Sequence, residues 1–172
     1  MIKKSFLLVI FTSFSFIYTI SAQSYGTAIG IRIDGFGATI QQQIAPHATI
    51  EAIVQSGFKK QDITLSLLLE KHQGLLTRNL SFYFGGGLYR TWYDKTDVTR
   101  GLLNDAFGVS PIMGLELNIG KIILSGDIKP TLKLSGDGKG FTMGQGISIR
   151  YELAGRYFKN DGWKFWKKWK KK

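Results

Sequence analysis

The sequence predicts an all-β fold, an antiparallel up-and-down transmembrane β-barrel of about eight strands, and three observations predict it. The first is a period of two. From Tyr25 to Tyr151 nearly every second residue is apolar, one phase running through Tyr25, Ile29, Ile31 and Ile33, then Ile63, Leu65, Leu67 and Leu69, and on to Met113, Leu115, Leu117, Ile147 and Ile149. A period of two with one apolar face means strands with unlike sides. The second is that the opposite phase is charged with both signs: Arg32, Glu51, Glu70, Glu116, Asp127, Lys129, Lys133, Arg150 and Glu152. In a soluble sandwich such charges face water, whereas in a membrane barrel the apolar face meets lipid and the charges pair inside. The third is length. Most segments approach the ~9–11 residues a tilted strand needs to cross a bilayer, against about 5–6 for an ordinary soluble strand.

The bulk numbers bound the alternatives. At 172 residues with 21 glycines, no cysteine and 13% aromatics, the chain suits one turn-rich β domain without disulfides. Its net charge of +11 suggests nucleic acid until the charges are located. Residues 23–155 hold 13 basic and 11 acidic side chains, while residues 156–172 hold 8 basic and 1 acidic. The body is near neutral and the basicity is a tail, so no nucleic-acid partner is expected. Three parts follow: a leader at 1–22, a barrel at 23–155 and a basic aromatic tail at 156–172.

Taken in order, the leader reads as a secretory signal peptide. Lys3 and Lys4 form its charged start, Phe6 to Ile20 its apolar run, and Ser21-Ala22 its small-residue cleavage site. The apolar run of about 15 residues is shorter than the ~20 a spanning helix needs. Strands are expected near Tyr25–Asp34, Phe36–Ile44, Ala48–Ser56, Asp62–His72, Leu80–Tyr93, Pro111–Ile119, Ile122–Leu134 and Phe141–Leu153. Ile44-Ala45-Pro46-His47 and Asn118-Ile119-Gly120-Lys121 are tight turns, with Gly or Pro where the backbone reverses. Asp94 to Ser110 is the longest connection. Bacterial barrels keep short turns on the periplasmic side and longer loops outside. With a periplasmic N-terminus, the turns after strands two and six fall inside and the loop after strand five falls outside.

Within strand five, Gly85-Gly86-Gly87 marks a bend or a close backbone approach, and Tyr89, Trp92 and Tyr93 suit an interfacial aromatic girdle. Arg90 breaks the pattern by sharing the phase of Leu88 and Trp92. A bulge that turns it inward and a rim position facing lipid phosphate both fit. In the tail, Phe165, Trp166 and Trp169 fall within about 100° of arc on a helical wheel. Trp163, Phe165, Trp166, Lys167, Lys168 and Trp169 therefore suit a membrane interface, with a disordered solubilising tail as the alternative.

Chemistry has little else to stand on. An eight-stranded barrel is only wide enough for side chains to fill it, so the five acids and four bases of the polar phase are expected to pair into a closed core. A narrow ion path along them is the functional alternative. His47 and His72 are the only histidines, and Ser66, in the phase of His72, lies ~20 Å away at about 3.3–3.4 Å per residue. Gly136-Asp137-Gly138-Lys139-Gly140 and Gly35-Phe36-Gly37 lack the spacing and following helix of a phosphate or nucleotide loop and read as hairpin turns. No catalytic, cofactor-binding or metal residue is expected.

The signal peptide, the parity of the turns, Gly85-Gly86-Gly87-Leu88-Tyr89 with Trp92-Tyr93, Ile128-Lys129-Pro130 and the closing Ile147-Ser148-Ile149-Arg150-Tyr151 carry a resemblance. Over Tyr25 to Leu153 the chain resembles the small outer-membrane β-barrel proteins of Bacteroidetes type, which are similar to the outer membrane protein A/X barrels. The resemblance implies an outer-membrane barrel of a Gram-negative bacterium without known catalysis, and it carries over no functional residue. One departure is the terminal aromatic of such barrels, which here is followed by the tail. The expected role is a monomeric, non-enzymatic, structural or surface-interaction barrel. Its partners would be outer-membrane lipid, and a cell-wall or protein partner through the tail or outer loops. The competing readings are a lipid-modifying enzyme, with His and Ser or Asp converging at one rim, a narrow conducting barrel, and a secreted lipocalin-like barrel with an apolar interior.

Overall fold

The computed structural model describes residues 25–57, 60–75, 79–93, 104–136 and 140–155. The leader, 1–22, and the tail with Trp163, Phe165, Trp166, Lys167, Lys168 and Trp169 lie outside the described residues. Eight antiparallel strands close into one barrel: β1 (Tyr25–Ile33), β2 (Phe36–Ala45), β3 (Ala48–Gly57), β4 (Lys60–Gly74), β5 (Leu80–Trp92), β6 (Ala106–Ile119), β7 (Ile122–Ser135) and β8 (Phe141–Gly155). Each strand pairs with its sequence neighbour, and β8 closes on β1 from Tyr25↔Gly155 to Ile33↔Ile147. Closure pairs the strands on both sides and so limits exposed edges that could template aggregation. Pro46–His47 and Gly120–Lys121 make the tight turns at the end that also holds both barrel termini, called here the turn end. Gly120 sits at φ 63, where only glycine is comfortable. β5 ends at Trp92 and β6 begins at Ala106 at the opposite end, called the loop end.

The alternation sets which way each strand faces. Ile31 (58% exposed), Leu67 (51%), Leu115 (50%) and Ile147 (59%) lie on the outside, while Glu51, Glu116 and Arg150 are at most 1% exposed inside. Apolar side chains also help fill the interior. Ile53, Leu68, Tyr83 and Ile112 form one buried cluster, and Tyr25, Ala28 and Ile123 form another.

Two local expectations are corrected. Tyr25 belongs by parity to the outer phase, yet it is fully buried, because register shifts between Tyr25 and Ala28 turn it inward. Strand six starts at Ala106 rather than Pro111. Proline cannot donate to a ladder, and the structure works around that. The β6–β7 register runs Val109↔Leu132 and then resumes at Met113↔Ile128, a spacing that sets Pro111 opposite Pro130. In that gap the Ser110 hydroxyl donates to the Pro130 carbonyl at 3.0 Å, supplying a hydrogen that neither proline has.

The triple glycine is a close approach. A Cβ on Gly85 would stand 2.0 Å from the Leu69 carbonyl oxygen, and one on Gly87 1.8 Å from that of Leu67. Strands β4 and β5 are packed too tightly there for any side chain.

Candidate functional site

The interior side chains form two linked polar clusters, and the strand period puts them there. In the turn-end half, Arg150 Nη2 binds Glu51 Oε1 at 2.6 Å and its Nη1 lies 3.5 Å from Glu116 Oε2. Thr39 donates to Glu51, and Tyr25, which also contacts Gln41, donates to Glu116 at 2.8 Å. Gln41 Nε2 donates to Glu70 at 2.7 Å, and Asn118 Nδ2 to Glu116 at 3.4 Å. His72 stands between two carboxylates, its Nε2 3.6 Å from Glu70 and its Nδ1 3.8 Å from Glu116, with its ring stacked 5.4 Å from that of Tyr83.

Nearer the loop end, Arg32 grips Asp127 with both terminal nitrogens, at 2.7 and 2.5 Å, while its Nε donates to Asp34 at 2.9 Å. This fork-on-carboxylate geometry makes the strongest kind of side-chain ion pair. The Tyr83 hydroxyl donates to Asp127 at 2.9 Å, so one tyrosine ties the loop-end pair to the ring of His72. Lys129 Nζ crosses the barrel to Gln55 at 2.9 Å and Ser66 at 3.4 Å.

Of the nine charges expected in the interior, Arg32, Glu51, Glu70, Glu116, Asp127, Lys129 and Arg150 are buried. Arg32 and Asp127 meet in one pair, and Arg150, Glu51, Glu116 and Glu70 in one cluster. Lys133 and Glu152 sit near the last residues of their strands, at opposite ends of the barrel, and are half-buried. The network also recruits Tyr25, Thr39, Gln41, Thr49, His72, Tyr83 and Asn118. All but Tyr25 share the charged phase, so counting polar side chains as well as charges in that phase would have found them.

Arg90 faces outward at the loop-end rim, its side chain 55% exposed, paired with Asp105 at 3.2 Å and lying 5.2 Å over the ring of Trp92. Stacking on an aromatic face suits a guanidinium at an interface.

A catalytic arrangement is approached at one point. The Thr49 hydroxyl lies 3.0 Å from His72 Nε2, with Glu116 beyond the far ring nitrogen. Both residues are at most 1% exposed, so a substrate has no route to the pair. Ser66 binds Lys129, not a histidine. Among the described residues no group of His, Cys, Asp or Glu could hold a metal ion. What this arrangement does chemically is line the barrel's interior with hydrogen-bonded polar and charged side chains, as a narrow eight-stranded interior requires.

No protein-family model matches this chain, and no curated protein is significantly similar to it.

Proposed function

We propose that the protein is an outer-membrane β-barrel of a Gram-negative bacterium, with a structural or surface-interaction role and an interior closed by paired charges. One observation carries the reading: the barrel is inside-out relative to a soluble one. Its outer face is a near-continuous apolar band and its interior holds the charges. A lipocalin-like barrel requires the reverse. Water would leave the outer band as an exposed apolar patch far beyond the few hundred Å² that soluble monomers tolerate. Lipid makes the same band favourable and supplies no hydrogen bonds, which a closed barrel does not need. The leader and the basic Trp-rich tail fit export to the envelope and contact with a membrane surface.

Membrane fractionation with a heat-modifiability gel tests this. The protein should resist salt washing and migrate faster unboiled than boiled. Release by salt with identical migration would end the proposal. For closure, planar-bilayer recording of the folded protein should show no steady conductance. A stable open current would move the reading to an ion-conducting barrel.

A further inference from the structure

The wall is incomplete beside the β1–β2 turn. β1 ends at Ile33, paired with Ile147, whereas β8 begins at Phe141. Phe141 to Gly146 therefore pairs with β7 on one side and, among the described residues, has no ladder partner on the other. This bare edge and the Asp34–Gly35 turn bound a notch continuous with a groove of about 1220 Å³. On the lipid-facing side the groove is lined by Met113, Leu115, Ile128, Met143 and Ile147, and Gly126 leaves its middle open, since a Cβ there would meet nothing within 4 Å. Towards the interior it reaches Gln55, Asp34 and Asp127 past Gly144 and Gly146, which put no side chain in the way.

The charged groups lining the groove are both carboxylates, and one guanidinium serves them. Arg32 gives two hydrogen bonds to Asp127 and one to Asp34 Oδ2. Asp34 Oδ1 has no hydrogen-bond partner, although the side chain is only 7% exposed. Lys129, the next cation, directs its Nζ to Gln55 and Ser66 instead. A buried carboxylate oxygen without a donor is costly, and Asp34 lines the groove that opens onto the apolar face. Gln145 adds a polar side chain on that face at the same level, where the alternation calls for an apolar one.

We propose that this notch binds a membrane lipid whose head carries a primary ammonium group, the ammonium donating to Asp34 Oδ1 and an acyl chain lying along Met113, Ile128 and Met143. The inference rests on the lipid-facing reading of the barrel. The carboxylate oxygen left without a donor selects a group with N–H bonds, and the apolar groove selects an attached chain.

The chain contains three methionines, and Met113 and Met143, the two within the barrel, both line the groove. Methionine-methyl NMR of the protein in phosphatidylcholine nanodiscs therefore reads the site directly. Phosphatidylethanolamine should shift both signals saturably, while phosphatidylglycerol at equal mole fraction should not. Asp34→Asn should raise the half-saturating ethanolamine-lipid fraction at least tenfold, and Gly126→Leu should abolish the Met113 response. Heat modifiability checks that each variant is folded, and if Asp34→Asn is not, Gly126→Leu decides. Equal responses to both lipids, no response, or unchanged binding in a folded variant would overturn the site. Failure of the wild-type barrel to enter nanodiscs is a separate result, which would sink the membrane reading and this inference with it.

Discussion

Arg150 shows how much can hang on one residue in a narrow interior. Its guanidinium is the cation nearest to both Glu51 and Glu116, and all three are buried. Breaking a buried ion pair by removing one partner leaves uncompensated charge and costs about 3–5 kcal/mol. Arg150→Met should lose that much, read as the shift in urea midpoint for unfolding from lipid vesicles. Adding Glu51→Gln should restore part of the loss, because the stranded charge is then gone. Simple additivity of the two costs would show that the pair is not coupled. The sequence made the charges of this cluster legible because side-chain period alone sorts them inward. It did not reveal which acid meets which base, since pairing between strands distant in the barrel, such as Arg150 on β8 with Glu51 on β3, depends on closure and shear. Tyr25 was misplaced for a local reason: a bulge flips parity, and no residue type announces a bulge at this position.

Strands and their pairings were the most legible scale, except where proline and glycine intervene. Pro111 reads as a strand start because it interrupts the apolar alternation, yet β6 runs five residues further back on the small side chains Ala106, Gly108 and Ser110. Ser110 makes that tolerable by donating to the Pro130 carbonyl. Ser110→Ala should leave that part-buried acceptor bare and cost about 1 kcal/mol in the same unfolding measurement. An unchanged midpoint would mean that the hydroxyl does not substitute for the missing ladder bond. Gly87 on β5 and Gly126 on β7 make a contrast. A methyl at Gly87 meets the Leu67 carbonyl oxygen at 1.8 Å, whereas one at Gly126 meets nothing within 4 Å. Gly87→Ala should cost about 1–3 kcal/mol through overpacking, and Gly126→Ala should stay within about 0.5 kcal/mol. Equal effects would show that glycine content matters only through backbone entropy, not through the close approach of β4 to β5.

For the whole molecule, the question is what the apolar face meets, and one substitution separates the answers. Leu67 stands near mid-strand on the outside of β4, half-exposed, flanked across the ladder by Ala52 and Leu88. Its carbonyl is the one that crowds Gly87, but its side chain points away from that contact into the surrounding medium. An arginine there keeps the interior network untouched, so any cost reports the environment alone. In a bilayer midplane that cost is about 2–4 kcal/mol for a barrel's lipid face. In water it falls within about 0.5 kcal/mol, as for an ordinary surface change. Leu67→Arg should therefore lower the unfolding midpoint in vesicles by the larger amount. An arginine at the loop-end rim should cost far less, since Arg90 already occupies such a position beside Trp92 and Asp105. A depth-independent cost, or none at mid-strand, would remove lipid from the account of this barrel and return the apolar band to the status of an unexplained surface.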